Sequence, residues 1–131
     1  MLASCYAKGG GIAGTTPLRM ALSRTANTLL SLFFPIRGVC TYSSFYRAYT
    51  YELLARADRI YGSRLLTEDG FVCMVELLVK LAAIRARLSE VPVTLRGDRR
   101  EGKSKMKVLR TMRDYTRFCL RSWKLWGIRG A

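Results

Sequence analysis

Apolar residues recur at helical spacing early in the chain: Leu18, Leu22, Ala26, Leu29 and Phe33 fall on one side of a helix. Thr15-Thr16-Pro17 supplies a hydroxyl N-cap and a proline near the first helical position, and Pro35 stops the run. Glu68 to Arg87 is predicted as a second long helix, with Phe71, Val75, Leu78 and Ala82 on one face. A third spans about Lys105 to Trp126, where Leu109, Met112, Tyr115, Cys119, Leu120, Trp123 and Trp126 share an arc. Strands are predicted where β-branched and aromatic residues gather, over Val39 to Tyr49, and where apolar residues alternate, over Glu90 to Leu95. A short helix from about Thr50 to Arg56 lies between them. Lys8 to Gly14 reads as a mobile loop, because glycines cost entropy inside regular elements. Helices outnumber strands, and the few strands cannot make an independent sheet, which is the pattern of an α/β domain cut across its middle.

Length and composition narrow the classes. A chain of 131 residues fits one modest domain, and a composition half hydrophobic excludes a disordered basic tail. The 23 Lys+Arg against 9 Asp+Glu give a formal net charge of +14, which calls for polyanionic partners: phosphorylated ligands, anionic membrane surfaces or nucleic acid. Histidine is absent, which removes His-based acid–base chemistry and the common zinc sites. Cys5, Cys40, Cys73 and Cys119 form no Cys-x-x-Cys pair and read as reduced packing residues of a cytoplasmic protein. Met1 to Tyr6 has no basic region of the kind that opens a secretory signal, and Thr28 to Phe34 is too short an apolar run to cross a bilayer.

Candidate chemistry concentrates in a few places. Arg99, Gly102, Ser104 and Lys105, following Glu90-Val-Pro-Val93, make a basic glycine-containing loop of the pattern Arg-x-x-Gly-x-Ser-Lys. Guanidinium, ammonium and hydroxyl groups on a flexible backbone suit a phosphate or pyrophosphate, since charge-assisted hydrogen bonds to anionic oxygens are the strong ones. Gly9-Gly10-Gly11 precedes the first long helix, which carries Arg19, Ser23 and Arg24. Glu76 lies among Val75, Leu77, Leu78 and Val79, and a carboxylate there needs a partner. Arg47 or Arg99 is one candidate partner; Lys80, four residues on, is the other. On the last helix Arg110, Arg113, Arg117, Arg121 and Lys124 edge the apolar arc, a combination that suits either an anionic headgroup boundary or packing on a missing N-terminal half.

The order of these motifs resembles the C-terminal half of the catalytic domain of family 2 glycosyltransferases, especially those acting on polyprenyl phosphates. The resemblance runs from about Tyr6 to Lys105. Within it, Ser43-Ser-Phe-Tyr-Arg-Ala-Tyr49 is similar to the family's Thr-Ser-Gly-Phe-Arg-x-Tyr segment through Tyr46, Arg47 and Tyr49, with Phe45 at the glycine position and Thr41 where an aspartate is usual. The resemblance implies a helix-rich C-terminal half of a GT-A-type, Rossmann-like domain over residues 1–105, with the nucleotide-binding half missing, followed by an amphipathic helix over 106–131. It implies phosphate and acceptor contacts from Gly9, Gly10, Gly11, Arg19, Ser23, Arg24, Arg47, Arg99, Gly102, Ser104 and Lys105, with Glu76 as a structural carboxylate.

The full enzyme would transfer a sugar from a nucleotide-sugar to a lipid phosphate, using Mg²⁺ or Mn²⁺ at an Asp-x-Asp motif. Asp58, Asp69, Asp98 and Asp114 form no such motif, so no metal or other cofactor is expected in this chain and little activity from it alone. The expected partners are the donor, the lipid acceptor, a separate N-terminal half and the cytoplasmic face of a membrane. The alternative is a small cationic non-enzymatic protein for anionic membrane or nucleic acid. Nucleic acid is the less expected, because neither a reading helix nor a stacking sheet is visible.

Overall fold

The structure is a computed structural model that describes residues 1–99 and 108–129. It is mixed α/β, with four α-helices and short parallel strands. Strand β1 (Leu2–Ser4) pairs in parallel with β3 (Glu90–Pro92), and β2 (Gly11–Ala13) with β4 (Thr94–Arg96). Val93 N–H donates to Ser4 O at 3.0 Å and Gly11 N–H to Val93 O at 3.2 Å, so the ladder continues across the interruption at residues 5–10. On the other side of β1, Ala3 N–H donates to Tyr46 O and Ala48 N–H to Met1 O, both at 2.9 Å, around an antiparallel bridge between Leu2 and Arg47.

Two sequence expectations change here. The glycine-rich stretch holds a strand, β2, because a parallel partner fixes what local propensity disfavours. The predicted strand over Val39 to Tyr49 is irregular apart from the bridge at Arg47. Its backbone is satisfied by side chains instead: Asn27 accepts from Tyr42 N–H and donates to Cys40 O, while Glu90 Oε1 accepts from Cys40 and Thr41 N–H at 2.8 Å. Polar groups satisfied this way leave no requirement for a ladder.

Helix α1 (Pro17–Phe33) starts as its sequence predicts, with the Thr16 hydroxyl accepting from Arg19 N–H. Helix α2 (Tyr51–Tyr61) is capped by Thr50 and runs further than expected. Helix α3 (Val72–Ala83) is shorter than the expected 68–87 and apolar on nearly all sides, because it lies between two cores. Val72, Val75, Leu78 and Val79 join Leu30, Phe34, Tyr42, Tyr115, Phe118 and Cys119 in the main core; Leu81 packs with Ala57 of α2 and Ile84 in a second.

Helix α4 (Val108–Arg129) therefore shares the main core with α1 and α3. The expected boundary between residues 105 and 106 lies outside the described residues. The faces also differ from expectation. On α1 the buried row is Ala26, Leu30 and, just past the helix, Phe34, whereas Leu18 is 72% exposed. On α4 the buried row is Thr111, Tyr115, Phe118 and Cys119, whereas Leu109, Leu120 and Trp123 face outward. Among the described residues, no helix is long and apolar enough to cross a membrane.

Candidate phosphate-binding cleft

Two glycines build the cleft. Gly14 ends β2 with φ near +65°, a conformation that glycine adopts without a Cβ clash. Gly97 follows β4, and a Cβ on it would lie 2.6 Å from Thr15 Oγ1 and 2.7 Å from Gly14 O. Only without that carbon does the turn Gly97–Arg99 press against the residues leading into α1. The result is a cleft of about 740 Å³ between the first turns of α1, the end of β4 and the start of α4.

Its lining mixes cationic and hydroxyl groups, Thr15, Thr16, Arg19, Ser23, Ser43, Arg96 and Arg99, with apolar ones that include Ile12, Met20, Leu22, Ala26, Leu95, Met112 and Tyr115. The N-terminus of α1 opens here, so its partial positive charge adds to that of the arginines. Among the described residues, Asp98 lies beside the lining and is held by Arg96 at 2.8 Å. Ser23 Oγ lies 2.8 Å from Tyr6 Oη. Either hydroxyl can donate in this pair, and where the phenol does, the serine proton is free for another acceptor. Burial pushes the Tyr115 phenol up to about 12, against a smaller opposing pull from Arg47, so this lining residue stays neutral.

The residues proposed from sequence separate. Arg19, Ser23 and Arg99 meet at the cleft. Arg24 is exposed and does not line it. Gly9 and Gly10 lie in the loop between β1 and β2 and Gly11 opens β2, away from the lining; a Cβ on Gly10 would meet Ser4 O at 2.6 Å, so the close approach of the two ends of that loop accounts for that glycine. Arg47 also turns elsewhere, donating to Met74 O at 2.5 Å and Tyr42 O at 2.6 Å, which fastens the bridge region to α3. Gly102, Ser104 and Lys105 lie outside the described residues.

Glu76 pairs with neither candidate arginine. It is buried and accepts from Thr67 N–H, Thr67 Oγ1, Glu68 N–H and Lys80 Nζ, which pins the loop before α3 to that helix. A second cavity of about 460 Å³ beside it is lined by Glu68, Glu76, Lys80 and Arg121, whose charges already pair with one another.

Sequence reasoning passed over Arg96 and the threonines at the mouth. Arg96 reads as the polar end of an alternating strand, and only the parallel register Ala13↔Arg96 brings it beside α1. Glycine at both 14 and 97 was the available signal of a close approach. Among the described residues no group of three His, Cys, Asp or Glu converges, so the divalent cation implied by the resemblance has no donor set to assign here. Comparison with protein-family models, curated proteins and solved structures finds no match to this chain.

Proposed function

We propose that this cleft binds the phosphate of a lipid-type acceptor in sugar transfer of the family 2 glycosyltransferase kind, and that the α/β frame belongs to a GT-A-type arrangement. The observation that carries the reading is that cationic and hydroxyl groups line the same cleft as apolar ones. Inorganic anions need only the first; a phosphate ester with a hydrocarbon chain uses both. Arg19 and Arg99 hold the phosphate oxygens, Arg96 adds positive charge, and Ser23 donates a hydrogen bond. Met20, Leu22 and Met112 cover the first carbons of the chain.

In the transfer, an acceptor phosphate oxygen attacks the anomeric carbon of the nucleotide-sugar. The bond from that carbon to the donor diphosphate breaks, and the diphosphate leaves with the electron pair. A phosphate nucleophile is already ionised near neutral pH, so the step needs no strong general base, in keeping with a chain that contains no histidine.

Calorimetric titration of the full chain with a short, water-soluble prenyl phosphate tests this. Binding tighter than that of inorganic phosphate is expected. Arg19→Ala or Arg99→Ala should weaken it about tenfold or more, the usual effect of losing a charge-assisted contact. Arg56→Ala, on α2, should leave it unchanged. Equal affinity for prenyl phosphate and inorganic phosphate, or equal loss from all three variants, would overturn the reading.

A further inference from the structure

Helix α4 presents three sectors when its residues are placed at about 100° each. Thr111, Met112, Tyr115, Phe118 and Cys119 face the core or the cleft. Next to them Leu109, Leu120 and Trp123 make an outward apolar row, 84%, 62% and 50% exposed. Beyond that row lie Arg110, Arg113, Arg117 and Arg121, all exposed. Among the described residues, the acidic groups facing this side are Asp114, 3.5 Å from Arg113, and Glu68, paired with Arg121. Arg110 and Arg117 add their charge to the outward side beyond those pairs.

We infer that this face of α4 seats on an anionic lipid bilayer. The row of Leu109, Leu120 and Trp123 enters the headgroup boundary, and the flanking arginines meet the lipid phosphates. An exposed apolar row has no use for a nucleic-acid backbone, whose readout is charge and stacking, whereas an interfacial helix requires both sectors side by side. Charge complementarity selects the anionic surface: the chain carries +14, and the arginines concentrate along the helix that bears the apolar row. Met112, which borders the row, also lines the cleft, so a helix seated this way brings that part of the lining close to the lipid. The docking itself does not depend on the transferase reading.

The test uses the full chain carrying Trp126→Phe, so that Trp123 is the sole tryptophan, and vesicles that contain no prenyl phosphate. Phosphatidylserine-containing vesicles should bind it, pure phosphatidylcholine vesicles should bind it far less, and added salt should weaken the first. Bromine-labelled acyl chains should quench Trp123. Arg110→Gln and Arg117→Gln should each reduce binding about fivefold, and the double variant Leu109→Ser, Leu120→Ser about tenfold or more. Leu109, Arg110, Arg117 and Leu120 are exposed, and circular dichroism checks that the fold is kept. No binding to the anionic vesicles, binding to RNA in their place, or binding that the serine variant leaves intact with Trp123 unquenched would overturn the inference. Because no prenyl phosphate is present, failure here leaves the cleft titration to be judged on its own.

Discussion

Gly97 shows how one missing carbon shapes the cleft. The absent Cβ would sit inside contact distance of Thr15 Oγ1 and of the Gly14 backbone, and a backbone atom cannot swing aside as a side-chain tip does. Gly97→Ala is therefore expected to destabilise the fold by about 1–3 kcal/mol, the ordinary range for overpacking. It should also weaken anion binding, because the turn carrying Arg99 would be pushed off α1. Urea unfolding and phosphate titration of the same variant measure both effects; a variant as stable as the parent would contradict the close approach. Glu76 gives a second check. Its carboxylate holds Thr67, Glu68 and Lys80 together, so Glu76→Ala strands several donors at once. A loss of about 3 kcal/mol is expected on urea unfolding, as when one partner of a buried pair is removed. A change within about 0.5 kcal/mol, typical of surface sites, would mean that the loop before α3 is not held there.

Among the elements, α4 has the clearest dependence on pH. Burial raises the Tyr115 phenol from 10.0 to about 12 and the Cys119 thiol from 9.0 to about 11. Both groups are held protonated in the fold, so their contribution is complete below about pH 9 and is lost as the pH climbs through 11 and 12. Stability measured under reducing conditions at stepped alkaline pH should fall across that window. Tyr115→Phe should flatten a large part of the fall; equal slopes in variant and parent would contradict the buried placement of the phenol.

The same helix shows what the sequence conveys and what it withholds. Its existence and that of α1 were legible, because period, caps and proline stops are local signals. Which apolar row faces inward was not. Both Met112, Tyr115, Cys119 and Leu109, Leu120, Trp123 are apolar rows on α4, and only the presence of α1 and α3 chooses between them. Strands β1 and β2 are three residues each and gain their identity from parallel partners some eighty positions away, a distance no local window spans. Residues 39–49 look β-prone, but Asn27 and Glu90 tie down part of their backbone first. For the cleft, Arg19, Ser23 and Arg99 were legible by motif, whereas Arg96 needed the register of β4.

For the molecule as a whole, a charge of +14 could spread as a general attraction to polyanions or be focused at particular places. Arg19, Arg96 and Arg99 gather at one mouth although they come from different elements, with the N-terminus of α1 aimed at the same space. A diffuse cationic surface gives no reason for methionine, leucine and tyrosine in the same lining, and a hydrophobic core gives no reason for arginines there. The measurement that tests the central claim most directly is a nuclear magnetic resonance titration of the isotope-labelled chain with a short prenyl phosphate, followed amide by amide. Saturable shifts are expected at Gly14 to Arg19, at Arg96 to Arg99 and at Met112, with inorganic phosphate moving the first two groups but not Met112. Shifts confined to the outward arginines of α4, or small unsaturated shifts spread over all basic segments, would contradict a phosphate-ester site in this cleft.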